Sequence, residues 1–96
     1  MKRHEILALI NSQRQPLAAL NVESLHLFGS AARDKAKPRS DVDFVVRFRT
    51  APSFDQFMDL KQLLEDALGT RVDLVTERAI RPELRDKIER DAVRVA

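Results

Sequence analysis

The chain contains no cysteine, no tryptophan and no tyrosine. Without cysteine there can be no disulfide framework and no thiolate metal site, and a cytoplasmic setting is the natural expectation. No apolar run approaches the length of a membrane span, and the segment from Ile6 to Ile10 is too short for the core of a signal peptide. Charge of one sign is also scarce. Seventeen basic and fifteen acidic residues leave a net +2, too little for a strong nucleic-acid footprint. The missing tyrosine has one more consequence: any group transferred to a tyrosine must go to another protein. What the chain does have is 96 residues, 44% of them apolar and arranged in periodic runs. That is enough for one small domain with one core, and it argues against disorder.

Residues 2–14 have a helical pattern, with Ile6, Leu7 and Ile10 on one stripe and Pro16 closing or bending the helix. Residues 24–28 alternate as a short strand. Gly29-Ser30 then turns into a short helix over about 30–36, which ends at Lys37-Pro38. Residues 41–48 form the clearest strand. Val42, Phe44, Val46 and Phe48 fall on one face, and Asp41, Asp43, Val45 and Arg47 on the other. Ser53 and Gln56 have capping-box spacing ahead of a helix whose stripe is Phe57, Leu60, Leu64 and Leu68, with Gly69 at its end. Residues 71–76 form a third strand. Pro82 opens a last helix whose apolar pair is Leu84 and Ile88. The five phenylalanines, 28, 44, 48, 54 and 57, read as core; His4 reads as a surface residue, and His26 as partly buried on a strand face. The order predicts an α/β (α+β) fold, a small mixed sheet of about three strands covered by about four helices, mainly on one face.

Three carboxylates stand inside β-patterned runs, where local preference disfavours them: Asp41, Asp43 and Asp73. Asp41 and Asp43 are two apart on a strand, so both carboxylates point to one face with Cα atoms about 6–7 Å apart. That spacing suits one divalent cation or a close pair. Magnesium takes oxygen ligands and commonly completes its shell with substrate phosphates. If Asp73 lies on a neighbouring strand beside Asp43, it can serve as a further metal ligand or as a general base. The plainer alternatives are an Asp-x-Asp at a turn or a strand edge facing water, and an Asp73 that pairs with Arg71 or Arg47. Gly29-Ser30 joins a strand to a helix start, an arrangement that offers free N–H groups to an anion; otherwise Ser30 is an ordinary N-cap. Arg33, three residues after Ser30, can reach a phosphate or hold an aspartate. Ser40, just before Asp41, is a candidate for bonding the backbone or metal-bound water. Lys35, Lys37 and Arg39 line the same loop as a solvated basic segment.

Gly29-Ser30, ten intervening residues and then Asp41-Val42-Asp43, in the setting GSAAR…SDVDFVV with a later VDLV, resemble the polymerase-β-like nucleotidyltransferases. The small size is similar to the minimal nucleotidyltransferases that act as antitoxins beside HEPN-domain ribonuclease toxins. The resemblance covers nearly the whole chain, 1–96, as one such domain. It implies that Gly29 and Ser30 hold the triphosphate of ATP, with Arg33 and Ser40 assisting. It also implies that Asp41 and Asp43 bind two magnesium ions, with Asp73 as the third carboxylate. The activity it implies is transfer of AMP to a hydroxyl, in better-understood members a tyrosine, of the partner toxin. The family often has glycine after the motif arginine, where this chain has Asp34, a negative charge expected near the phosphates or pointing to solvent. A wall around the acceptor would come from the partner. The competing readings are a non-catalytic antitoxin that neutralises by binding alone and a nucleotidyltransferase for small molecules. No nucleic-acid substrate and no membrane are expected.

Overall fold

The computed structural model of the protein describes residues 1–34 and 41–96. Helix α1 (Arg3–Asn11) and helix α2 (Arg14–Ala19) lead into strand β1 (Val22–Phe28). A single turn of helix, α3 (Gly29–Ala32), follows at once. Strand β2 (Val42–Phe48), the long helix α4 (Phe54–Leu68) and strand β3 (Val72–Thr76) come next. A 3-10 turn (Glu77–Ala79), helix α5 (Pro82–Asp91) and a two-residue strand β4 (Val93–Arg94) complete the order.

The sheet runs β3-β2-β1-β4. β1 is antiparallel to both β2 and β4, while β2 and β3 are parallel and joined by α4. The sheet is mixed, as the sequence predicts, but it has four strands. β4 escapes a reading by periodicity because two residues cannot show a period. It pairs with His26 and Leu27 of β1, and the backbone of Val95 and Ala96 extends the pairing to Leu25. β1 also starts earlier than expected. Its register shifts between Val22 and Ser24, which brings Val22 to the same buried face as Leu25 and Leu27 despite the odd spacing.

One face of the sheet carries the core. Leu25, Leu27, Val42, Phe44, Val46, Val72 and Leu74 pack against Ile6 and Ile10 of α1, Leu17 of α2 and Leu60, Leu64 and Leu68 of α4. The N-terminal helix is broken in two rather than closed by Pro16. Pro16 sits in the first turn of α2, where its missing N–H would have had no partner. Ser53 caps α4 by accepting the N–H of Gln56 at 3.1 Å, and Gly69 ends the helix at φ +67. The capping box is only half made, because the Gln56 amide donates instead to the Leu20 carbonyl and ties α4 to the end of α2. Phe54, expected in the core, is 76% exposed; it is the first residue of α4, ahead of the buried stripe.

The other face of the sheet is thinly covered. α5 contributes no buried residue, and Leu84 is half exposed. Ser24, His26 and Val45 look from the sheet into a cavity of about 200 Å³ that is closed from the far side by Ile80, Arg85 and Ile88. This is the face that carries Asp43 and Asp73. Among the described residues, no helix is long and apolar enough to cross a membrane.

Candidate active site

Parallel pairing of β2 with β3 places Asp43 directly beside Asp73. The same period-two alternation that sends Val42 and Phe44 into the core turns Asp43 outward, and likewise Val72 and Leu74 leave Asp73 outward. Asp41 is exposed and immediately precedes β2. Antiparallel pairing sets Phe28 opposite Asp43, so the chain turns at Gly29 directly over that carboxylate.

Gly29 is where the backbone comes closest. Its φ is +73, a conformation that L-residues with a side chain rarely adopt. A Cβ built there would lie 2.5 Å from Oδ2 of Asp43 and 3.4 Å from its Cγ. Glycine is therefore required twice over, for the turn and for contact with the carboxylate. Phe28, not Ser30, is the N-cap of α3, so Gly29 and Ser30 form its first turn. The N-cap reading of Ser30 is thereby corrected: the glycine turn begins the helix one residue earlier. The first N–H groups of any helix lack intrahelical partners and are free to meet an anion.

Electrostatically the site is strained. The Asp43 carboxyl is pushed from 3.8 to about 6, first by loss of water, then by the charges of Asp73 and Asp41 and by hydrogen bonding with Asp73. No arginine among the described residues pairs with it. Arg47 is engaged elsewhere, with Nε 2.9 Å from Glu23 and 3.6 Å from Glu77. Arg71 makes no ion pair among the described residues. The plain pairing of Asp73 with Arg71 or Arg47 is therefore not what the described residues adopt. Arg33 is exposed at the C-cap of α3 and likewise pairs with no described carboxylate.

Asp34 does not stand at the phosphate turn. Its backbone is left-handed at φ +58, which accounts for the fitness of glycine at this position, and aspartate tolerates that region better than most residues. Its carboxylate accepts the N–H of Arg3 at 2.7 Å, at the first turn of α1. The Arg3 guanidinium in turn donates to the Ala32 carbonyl at 3.0 Å. The bond from the Arg3 backbone N–H holds the Asp34 carboxyl below its ordinary value. The residue clasps α1 to the end of α3, a role that sequence spacing could not reveal because its partner is 31 residues away. Ser40, Lys35, Lys37 and Arg39 lie outside the described residues.

The donor set is all oxygen, from carboxylates that repel one another, and this fits a hard divalent cation. No three acidic or histidine side chains among the described residues already converge as a metal cage. Two carboxylates are nevertheless the usual protein contribution to a magnesium site that substrate phosphates complete.

Residues 5–95 match the family described as "Nucleotidyltransferase domain". The chain is 35% identical over 92 residues to the protein adenylyltransferase MntA of Thermococcus cleftensis, covering 95% of this chain and 93% of that one. Its fold is similar to a solved structure provisionally assigned as a minimal nucleotidyltransferase, with a TM-score of 0.85 and 33% identity over 97% of this chain and 95% of the other. Two more distant structures share the fold. One is a toxin-antitoxin with AMP-PNP, at TM-score 0.74 and 24% identity over 90% of this chain and 71% of that one. The other is a tri-AMPylated HEPN toxin with its MNT antitoxin from Shewanella oneidensis, at TM-score 0.68 and 21% identity over 98% and 71%.

Proposed function

Because this chain belongs to the nucleotidyltransferase domain family, and specifically resembles its minimal members, we propose that it transfers AMP from ATP to a hydroxyl of a HEPN-type toxin and acts as the antitoxin. The observation that carries this reading is the in-register pair Asp43 and Asp73 beneath the close approach of Gly29. The relative named MntA is a protein adenylyltransferase, and the two more distant complexes hold AMP-PNP and an AMPylated toxin. The setting is cytoplasmic.

In this reading Gly29 and Ser30 present backbone N–H groups and a hydroxyl to the triphosphate, with Arg33 and Ser40 assisting. Asp41, Asp43 and Asp73 would hold one or two magnesium ions, which when bound neutralise phosphate charge and activate the acceptor hydroxyl. The acceptor oxygen forms a bond to the α-phosphorus. The bond from that phosphorus to the bridging oxygen breaks, and pyrophosphate leaves with the electron pair. Asp73, the more exposed carboxylate of the pair, receives the hydroxyl proton. Burial of Asp43 against Gly29 fixes the geometry, and positioning supplies much of the acceleration. Since the chain has no tyrosine, a tyrosine acceptor belongs to the partner.

The test is intact-mass spectrometry of the partner toxin after incubation with ATP, magnesium and this protein, beside the Asp41→Asn/Asp43→Asn double variant. The expected result is a gain of one or more AMP units with the wild type only. An unmodified toxin in a stable complex would replace this reading with neutralisation by binding alone.

A further inference from the structure

A cleft of about 570 Å³ lies away from the aspartates. It opens at the far end of β2 and β3, where Arg47, Arg49, Arg78 and Arg85 line it together with Glu23 and Glu77. Both glutamates are committed to one arginine, Arg47. Arg49, Arg78 and Arg85 have no carboxylate within ion-pair distance among the described residues, and residues 35–40 contain no acidic residue. Three arginines with no ion-pair partner among the described residues therefore line one concave surface.

Arg47 shares the Asp43 face of β2 and lies four residues along it, a span of about 13 Å. Between them is the smaller cavity, floored by Val45 and roofed by Ile80 and Ile88, which shares Arg47, Glu77 and Arg85 with the cleft. The track from Asp43 along β2 to the arginines passes over Val45, and none of Asp41, Asp43 and Asp73 lines either cavity. An extended peptide of about four residues covers it.

We propose that this arginine cleft docks a carboxylate-bearing segment of the acceptor protein, a few residues from the hydroxyl that is modified. The proposal rests on the protein-modification reading above. A polypeptide fits the track better than a nucleic acid does. A uniform row of phosphates would meet Glu23 and Glu77 and an apolar stretch between, and the whole chain carries only +2. A peptide can place an apolar side chain in the small cavity and acids among the arginines, and complementary charge of this kind sets specificity and encounter rate.

The experiment measures binding directly and uses neither ATP nor metal, so its outcome is separate from that of the transfer reaction. Fluorescein-labelled hexaglutamate is titrated with the full chain at low ionic strength, followed by anisotropy, beside labelled hexauridylate. The wild type is expected to bind hexaglutamate in preference to the RNA. Arg78→Glu/Arg85→Glu should weaken hexaglutamate by about tenfold or more, as for the loss of two charge pairs. Arg14→Glu/Arg90→Glu, with the same change in net charge outside the cleft, and Asp43→Asn should not. Thermal melts check folding, and Arg78→Gln/Arg85→Gln serves if the reversed charges disturb it. Absent binding, equal weakening by the Arg14/Arg90 variant, or tighter binding of the RNA would each overturn the proposal.

Discussion

Asp43 titrates near 6 in the folded chain because it loses water and faces Asp73 and Asp41. Unfolded, it titrates near 3.8. Between about 4 and 6 the native state therefore holds more protons than the unfolded state, and stability falls as pH rises through that window. Because Asp43 is only partly buried and water screens its charge, the loss at neutral pH is on the order of 1 kcal/mol. Asp43→Asn should remove it and raise the melting temperature by about 4–8 °C at neutral pH, while abolishing AMP transfer. An unchanged or lower melting temperature would refute this account of the site. Gly29→Ala should do the opposite. The strain at φ +73 costs about 1–2 kcal/mol, and a Cβ 2.5 Å from Oδ2 must displace Asp43. Transfer should fall on the order of 100-fold, measured as initial rate of toxin modification. Both residues stand out in the sequence, since an aspartate in an apolar strand and a glycine at a strand end break local rules. Asp34 does not. Its hydrogen bond to Arg3 exists only after the chain has returned α3 to the start of α1.

Among the elements, α4 is the one most completely written in the sequence. Its cap, its stripe and its terminating glycine are all local signals, and each is realised. Ser53→Ala should cost about 1 kcal/mol by leaving the Gln56 N–H unmet. Gly69→Ala should cost about as much from backbone strain alone, because nothing lies within 4 Å of an added Cβ. Denaturant midpoints of the two variants check this, and a neutral Gly69→Ala would contradict the left-handed cap. Elsewhere the local signals mislead. Pro16 reads as closing or bending the first helix but sits in the first turn of α2, and Gln56 reads as half of a box but holds the Leu20 carbonyl. In each case a partner outside the local window decides.

For the whole molecule, two titrations oppose each other. Burial, with Arg94 close by, lowers the His26 pKa from 6.5 against the weaker pull of Glu77. The folded chain then holds fewer protons there than the unfolded chain below about 6.5, so stability falls as pH falls through that window. Asp43 has the reverse slope between about 4 and 6. Where the two windows overlap, each offsets part of the other's pH dependence. Asp43→Asn should expose a loss on acidification that Asp43→Asn/His26→Asn lacks, read from melting temperatures across that range. Magnesium binding to the carboxylate face should raise the melting temperature of the wild type and leave Asp43→Asn/Asp73→Asn unmoved, by simple linkage. An equal shift in both would place the cation elsewhere.

The sequence by itself determined the periods, the caps and the three misplaced carboxylates, because these depend on neighbours within a few residues. From them follow three strands alternating with helices, the expectation of a small mixed sheet, and the phosphate-turn motif. Tertiary structure alone decided that β3 lies parallel to β2 with Asp73 beside Asp43, that β4 closes the other edge, and that three arginines from separate segments meet in one cleft. Those facts depend on register between distant segments, which is set by how the two faces of the sheet are buried, and no local pattern encodes it.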